Sequence, residues 1–455
     1  MFRKAFLLVI LVAIIWGVAV GLQPTRPTKA QDKVEITFVH IYVDDGNDNR
    51  GQIVQALVDQ FMAEHPNIQV NIQSTTTDYQ EVFNNTLLAA EQGNAPHVVQ
   101  LEETSTQLAV DSTYFVKISD IATDEQKTEL ADFIPQILNF YTINDEVWSL
   151  PWNSSTPLLY YNKTLFEKAG LDPNTPPKTF ADVLAACDTI MNAGLNLAGC
   201  INWPMASWFP EVWVAMQNST LLNNDNGRSG RATESNVNSP EMLSIIQWWK
   251  ELSDKGYYDY TGKPSDYVGE ATSFITQRFA MHINSTAGLA NFIRFAKTLG
   301  YDLGVAPIVI PNEQATQGLY TGGGSLWVTG GHSDEEIAAA RDFIFFMTST
   351  ANNVQWHKET GYMPNRFSSL DALEAEGWFE ANPFYRVAVD QLLNTVVSPA
   401  TAGPVMGPAA QVRDFLVEAV QSVIDQGEDP AAALDVAKQR SDEALQEYND
   451  LVGGN

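Results

Sequence analysis

Apolar residues recur in the first hundred positions with two different periods. Short runs rich in β-branched side chains favour strands, and runs with apolar residues three and four positions apart favour helices. These patterns alternate, and Pro66 and Gly93 mark the ends of the two helices. The segments are strand 34–43, helix 51–68, strand 69–75, helix 79–94 and strand 95–103. The order predicts right-handed βαβ units on a mostly parallel sheet.

The same two patterns continue to the C-terminus, so the fold class is α/β throughout. Because 455 residues exceed what one hydrophobic core usually supports, we expect two domains. Residues 221–241 are rich in Asn, Gly and Ser and predict a surface loop. The later helices are predicted at residues 179–193, 240–255, 334–348 and 430–452, and later strands at 158–161, 279–284 and 303–310.

The composition is strongly acidic, with a formal net charge of −29. Binding a phosphate backbone needs clustered Lys and Arg, so no nucleic-acid partner is expected. The N-terminus begins with Arg3 and Lys4, continues as an apolar run over residues 5–22 and ends in small residues near Ala30. This arrangement predicts export by a signal peptide, residues 1–30, cleaved near Ala30 or kept as a membrane anchor. The segment contains no cysteine, so no lipoprotein is expected.

Cys187 and Cys200 are the two cysteines of the chain. In an exported protein they are expected to form a disulfide, and two buried free thiols are the alternative. The six histidines do not occur at metal-ligand spacing, and no phosphate-binding loop or nucleophile elbow is present. The acidic segment 44–55 lacks the Gly and Glu of a calcium loop. We therefore expect no metal, no cofactor and no catalytic residues.

Glu102 and Glu103 end the third predicted strand. Adjacent side chains of a strand point to opposite faces, so at most one of the two is expected to face a cleft. That carboxylate would accept hydrogen bonds from ligand hydroxyls at the carboxyl end of the sheet. A glycosidase pair, which needs both carboxylates on one bond, is not expected from this strand.

Aromatic residues concentrate in residues 201–213, INWPMASWFPEVW. Trp203, Trp208, Phe209 and Trp213 lie there around two prolines, which interrupt a regular helix. Some of these rings are expected to face a pocket and to stack on a ligand, and core packing is the alternative for each ring.

Four segments resemble the extracellular solute-binding proteins of ABC importers (family 1), and in particular the members that bind sn-glycerol 3-phosphate. The longest is residues 150–184, where NSSTPLLYYNK forms a nearly continuous match. The others are GGGSLWV (322–328), WHKETGYMP (356–364) and PAAQVRDF (408–415). The resemblance spans essentially the whole chain after the signal segment.

This resemblance implies a two-lobed periplasmic-binding-protein fold, the type II Venus-flytrap, with a ligand cleft between lobes that close about a hinge. The first lobe would comprise residues 34–152 and 311–350, and the second residues 153–310 and 351–455. The implied protein is a monomeric, non-enzymatic receptor that delivers sn-glycerol 3-phosphate, or a glycerophosphodiester, to an ABC permease. The alternatives are a sugar or oligosaccharide receptor of the same family and an exported carbohydrate-cleaving or phosphodiester-cleaving enzyme.

The resemblance also implies ligand contacts at matching positions. Arg413, the serine and tyrosine hydroxyls and a backbone N–H beside Gly323 would donate to phosphate, and Glu103 would accept from glycerol hydroxyls. Trp208 matches the stacking position better than Trp203 does. The implied ligand-binding residues are Tyr79, Glu103, Ser155, Ser285, Gly323, Tyr362, Arg413, Trp208 and Trp203.

Overall fold

A computed structural model describes residues 33–43 and 49–453 of the chain. The predicted signal segment and residues 44–48 of the acidic segment lie outside the described residues. The strands are β1 (Val34–Val39), β2 (Ile68–Ile72), β3 (Val98–Glu102), β4 (Phe115–Val116), β5 (Thr142–Ile143), β6 (Glu146–Val147), β7 (Leu150–Pro151), β8 (Pro157–Asn162), β9 (Ile201–Asn202), β10 (Met281–Ser285), β11 (Leu303–Pro307) and β12 (Gly324–Thr329).

The helices of the first half are α1 (Arg50–Glu64), α2 (Tyr79–Glu91), α3 (Thr106–Asp111), α4 (Ile118–Ile121), α5 (Asp124–Glu129), α6 (Pro135–Leu138), α7 (Lys163–Lys168), α8 (Phe180–Asn192) and α9 (Trp208–Met216). The helices that follow are α10 (Asn223–Gly227), α11 (Pro240–Asp254), α12 (Tyr267–Ile275), α13 (Leu289–Leu299), α14 (Asp334–Met347), α15 (Thr350–Thr360), α16 (Phe367–Ala375), α17 (Trp378–Ala381), α18 (Pro383–Leu393), α19 (Ala409–Gln426) and α20 (Pro430–Gly453). No helix among these combines the length and hydropathy needed to cross a membrane.

Helix starts coincide with side-chain caps. Thr179 and Asp182 form a reciprocal capping box at the start of α8, and Ser333 and Glu336 form another at α14. Each pair satisfies two backbone N–H groups that a helix N-terminus leaves without partners. The predicted starts of these two helices are confirmed to within one residue.

The first sheet has the strand order β2-β1-β3-β12-β4, and β7 also pairs with β12. β1 is parallel to β2 and β3, as the βαβ pattern predicts. β12 is antiparallel to β3, β4 and β7, so β4 and β7 run in the same direction as β3. Five of the six strands of this sheet therefore share one direction, which confirms the prediction of a mostly parallel sheet, and β12 runs the other way. The reason is that β12 follows β11 of the second sheet and enters the first sheet from the opposite direction.

The second sheet has the order β11-β8-β10-β9. Its central strand β8 is antiparallel to both neighbours, and all six of its residues are buried. This agrees with the predicted strand at residues 158–161.

Hydrophobic packing separates the chain into cores around the two sheets. Val98 and Val99 of β3 point to opposite sides of the first sheet, and both are fully buried. Helices therefore cover both faces of this sheet. The second sheet shares a larger core with α8, α9, α11 to α13 and α16 to α20. The two cores confirm the two-lobed α/β prediction.

Some segments pack differently from the predicted lobe ranges. Ile134 to Tyr141 pack in the second core, although the prediction puts residues 34–152 in the first lobe. Trp356 and Tyr362 pack in the first core, although residues 351–455 were expected in the second. Hydrophobic contacts, rather than the positions where the chain crosses, decide which lobe a segment joins. The predicted ranges otherwise stay a prediction.

The predicted disulfide between Cys187 and Cys200 is confirmed. It joins the middle of α8 to the residue before β9, with a Cα–Cα distance of 5.4 Å, and both cysteines are fully buried in the second core.

Candidate functional site

The polar segment after Trp152 connects the two sheets, since β7 belongs to the first and β8 to the second. Ser155 exchanges two backbone hydrogen bonds with Gly322 in the neighbouring connection, at 2.8 and 2.9 Å. Gly323 has a φ of 115°, and a Cβ there would lie 2.1 Å from the Asn153 carbonyl oxygen. Only glycine fits this crossing, which holds two lobe connections side by side.

Arg413 lies near this crossing between the lobes, close to the start of α19. Its guanidinium makes a two-point ion pair with Glu211 of α9: Nε donates to Oε1 at 3.0 Å and Nη2 donates to Oε2 at 2.8 Å. The Glu211 side chain is 4% exposed, and Tyr320 also donates its hydroxyl to Glu211 Oε2. The interlobe arginine is therefore already paired with a buried carboxylate of its own lobe.

Two further carboxylates face Arg413 from the end of β3. Glu103 Oε1 lies 3.2 Å from Nη2, and Glu102 Oε1 lies 3.9 Å from Nη1. The prediction that only one of them faces the cleft is therefore wrong. The strand ends at Glu102 and a 3₁₀ turn begins at Glu103, so the alternation of a strand does not apply across that bond.

The pKa values of Glu103 and Glu211 are shifted in opposite directions. Burial, together with Glu102, raises the pKa of Glu103 to about 8, although Arg413 opposes the shift. Burial also acts to raise the pKa of Glu211, but the Arg413 guanidinium and its hydrogen bonds bring it below its ordinary value. At neutral pH Glu211 is thus the ionised partner of Arg413, and Glu103 holds a proton.

Both backbone polar groups of Gly323 form hydrogen bonds with Glu103. Its N–H donates to Glu103 Oε2 at 3.0 Å, and its carbonyl oxygen accepts from the Glu103 N–H at 3.0 Å. This N–H was expected to donate to a phosphate. In the structure a ligand can reach it only by replacing the Glu103 carboxyl group.

Two tyrosine hydroxyls lie on the first-lobe side. Tyr79 accepts hydrogen bonds from Asn153 Nδ2 at 2.6 Å and from Gln100 Nε2 at 3.3 Å. Burial and the nearby Tyr362 raise its pKa. Tyr362 accepts from Tyr42 at 3.1 Å and from Arg50 Nη1 at 3.0 Å. Both phenols keep their own proton available for donation.

The two predicted serines differ in their surroundings. Ser155 Oγ makes no hydrogen bond with the described residues, and Ser155 is 5% exposed. Ser285 Oγ accepts the Ala287 N–H at 3.1 Å at the end of β10, which leaves its own proton free to donate. Both hydroxyls can thus serve as donors to an anion.

The two predicted tryptophans are not equivalent. Trp208 lies against Gly322, where an added Cβ would be 2.9 to 3.0 Å from its ring, and its buried indole N–H has no partner within the described residues. Trp203 is fully buried in the second core and lies within 6 Å of Trp213, Trp248, Trp249 and Tyr258. Because its ring faces are covered by other side chains, the prediction of a pocket role for Trp203 is wrong.

Glu211 is a residue of this cluster that the sequence analysis did not predict. Its signal was present, because an acidic residue in the apolar stretch WFPEVWVAM must be buried and therefore needs a cationic partner. Asn153 and Gln100 were also missed as groups that position Tyr79. Gln100 sits in the buried strand VVQLE and gives the same kind of signal.

A cavity of about 380 Å³ lies between the lobes, and none of the predicted ligand-binding residues lines it. Its first-lobe wall includes Gln80, Thr104 and Ser105, and its second-lobe wall includes Gln411 and Tyr448. Gln80, Thr104 and Gln411 are close in sequence to Tyr79, Glu103 and Arg413, but the latter three do not line the cavity.

The lobes also contact each other at the rim of this cavity. Asp111 of α3 accepts two hydrogen bonds from Arg231, at 2.8 and 2.7 Å, and one from the Tyr448 hydroxyl at 2.7 Å. Arg231 and Tyr448 belong to the second lobe. We call this contact the Asp111 latch.

A cluster that could offer three metal ligands lies at the other end of β3, where His97, His332 and Glu336 approach one another. The spacing of histidines in the sequence did not predict it, since the fold brings His97 to the other two. His97 Nδ1 accepts the Thr37 N–H at 3.0 Å, so its Nε2 carries the proton and faces Glu336 at 3.7 Å. Binding a metal through Nε2 would remove the only N–H proton of the ring, so this tautomer disfavours His97 as a metal ligand, and the absence of a metal stays a prediction.

Two lobes enclosing a polar cleft define a ligand-binding receptor of the periplasmic-binding type. Residues 56–385 match the bacterial extracellular solute-binding proteins, and the chain belongs to that family. The sn-glycerol-3-phosphate-binding periplasmic protein UgpB of Escherichia coli K12 is similar to it, with 29% identity over 407 residues that cover 88% of this chain and 90% of that protein. The protein is therefore a solute-binding receptor of an ABC import system, as the resemblance implies.

Solved structures share the fold. UgpB from Mycobacterium tuberculosis in complex with glycerophosphocholine superposes with a TM-score of 0.73 at 22% identity, covering 91% of this chain and 99% of that one. The sugar-binding protein MalE from Xanthomonas citri gives a TM-score of 0.75 at 18% identity, with 93% and 100% covered. At these identities the likeness shows the two-lobed fold alone.

Proposed function

We propose that this receptor binds a glycerophosphate ester, sn-glycerol 3-phosphate or one of its diesters, and delivers it to the permease of an ABC importer. The observation that carries the proposal is Arg413, a guanidinium held between Glu103 of the first lobe and Glu211 of the second. Ser155 beside Gly322 and Ser285 at the end of β10 offer hydroxyl donors. Guanidinium and hydroxyl groups match the oxygen acceptors of a phosphate.

The glycerol part has suitable partners as well. Glu103 and Tyr79 lie on the first-lobe side, where they can exchange hydrogen bonds with ligand hydroxyls. Trp208 supplies an apolar wall with an indole N–H available for donation. The relative UgpB of Escherichia coli, named for sn-glycerol 3-phosphate, supports the same class of ligand.

Isothermal titration of the purified protein with sn-glycerol 3-phosphate, glycerophosphocholine and maltose tests the proposal. We expect a glycerophosphate ester to bind with a dissociation constant of micromolar order, about −8 kcal/mol, and maltose not to bind. Tight maltose binding without binding of either ester would overturn the ligand class and leave the receptor class standing.

Arg413→Ala should weaken ester binding by at least about thirtyfold, because removing one charge of a buried hydrogen-bonded pair costs about 2–5 kcal/mol. Arg440→Ala is the matched control, since Arg440 pairs with Glu418 on the exposed side of the neighbouring helix. Circular dichroism melting of both variants checks that they fold. Ester affinity unchanged in a folded Arg413→Ala protein contradicts the phosphate role.

A further inference from the structure

Arg413 and Glu211 form a pair that does not depend on how the lobes are arranged. α9 and α19 both pack in the second core, through residues such as Phe209 and Leu416. The two hydrogen bonds of the pair therefore remain when the first lobe moves away. The guanidinium charge is already neutralised before a ligand arrives.

The pair also limits which donors a ligand can reach. Nε is directed at Glu211, and Nη2 is shared between Glu211 and Glu103. Only Nη1 is without a close hydrogen bond, and it faces Glu102 at 3.9 Å. A ligand phosphate would meet one edge of the guanidinium next to three carboxyl groups.

This arrangement distinguishes phosphate esters by charge. A monoester at pH 7.5 is mostly doubly charged, since its second pKa is about 6, whereas a diester carries a single charge. The second charge of the monoester would have no cation to pair with at Arg413 and would lie close to Glu211. Like charges at such distances repel strongly in a partly desolvated cleft.

We propose that Glu211 is a specificity-determining residue: by pairing with Arg413 it makes the receptor prefer singly charged phosphodiesters to doubly charged phosphomonoesters. The inference rests on the proposed function, because it assumes that a glycerophosphate ester is the ligand.

Titrations with sn-glycerol 3-phosphate and with its methyl ester test the inference, since these two probes differ in one charge and one methyl group. At pH 7.5 the wild-type protein should bind the methyl ester about tenfold more tightly. At pH 5 the monoester gains a proton, and the ratio should fall towards one. Tighter binding of the monoester at pH 7.5, or a ratio that does not change with pH, overturns the inference.

Glu211→Gln keeps the shape of the side chain and removes its charge. In this variant the monoester should gain about tenfold relative to the methyl ester at pH 7.5, which removes the preference. Glu251→Gln is the control for net charge, because Glu251 lies on the exposed face of α11 and pairs only with Lys255 there. An unchanged ratio in folded Glu211→Gln overturns the inference. Failure of both probes to bind, with maltose bound, instead overturns the proposed function.

Discussion

The Asp111 latch is expected to stabilise the closed arrangement of the lobes and therefore to strengthen ligand binding. The change to make is Asp111→Asn, which keeps the shape of the side chain and removes the charge that Arg231 and Tyr448 share. We expect hinge opening to separate α3 from these second-lobe partners and to break the three hydrogen bonds. A ligand that is held by both lobes gains affinity from anything that favours closure.

The magnitude follows from the contacts. Three charge-assisted hydrogen bonds of 2.7 to 2.8 Å meet at Asp111, whose side chain is 9% exposed, but the Arg231 side chain is 44% exposed. Hydrogen bonds to charged groups contribute about 1.5–3 kcal/mol when buried, and exposed ion pairs contribute about 0.2–1 kcal/mol. We expect the variant to lose about 1–2 kcal/mol of closing free energy, which weakens binding about fivefold to thirtyfold.

The assay is a titration of wild type and Asp111→Asn with whichever glycerophosphate ester binds more tightly, at 20 mM and at 1 M salt. Because salt screens an exposed pair, the difference between the proteins should shrink at high salt. Asp254→Asn is the control, since Asp254 pairs with Lys250 inside α11 and does not contact the first lobe. An affinity for Asp111→Asn within twofold of wild type at low salt would refute the reasoning.

Two further predictions concern stability. The pKa of Glu103 is raised from 4.5 to about 8, so the folded state holds a proton that the unfolded chain releases, and this contribution to stability is present in acid and lost as pH rises from about 4.5 to about 8. Urea unfolding between pH 5 and pH 8 should therefore show a steeper fall with pH for wild type than for Glu103→Gln, and parallel curves would contradict the assignment. Replacing both Cys187 and Cys200 by Ser opens a loop of 13 residues and should lower the free energy of unfolding by about 3 kcal/mol. Reduction of the wild type should produce the same loss, and a loss below about 0.5 kcal/mol would contradict it.

Local patterns predicted the elements well because each is a property of neighbouring residues. The periods of apolar positions located β1, β2, β3 and the helices between them. The direction of β12 could not be predicted this way, since apolar alternation is the same in parallel and antiparallel strands. It depends instead on a connection that returns from the second sheet.

Site residues could be predicted where the residue type alone implies its chemistry. They could not be predicted where the course of the local backbone decides in which direction a side chain points. Glu102 and Glu103 reach the same guanidinium because the strand ends between them, and no apolar period marks that point. Trp203 and Trp208 are alike in sequence context, yet one packs among four aromatic rings and the other against Gly322. The packing partners lie far away in the chain, so only the fold separates the two roles.

The pairing of Arg413 follows from a general requirement on cleft receptors. A guanidinium placed between two lobes must remain stable when no ligand is present, and a buried charge without a partner is costly. Glu211 meets that requirement from within the same lobe, at 2.8 Å and 4% exposure. Under the proposed function, the residue that stabilises the empty receptor also lies beside the phosphate of the bound ligand. The proposals therefore make stability of the empty cleft and selection by ligand charge two consequences of one ion pair.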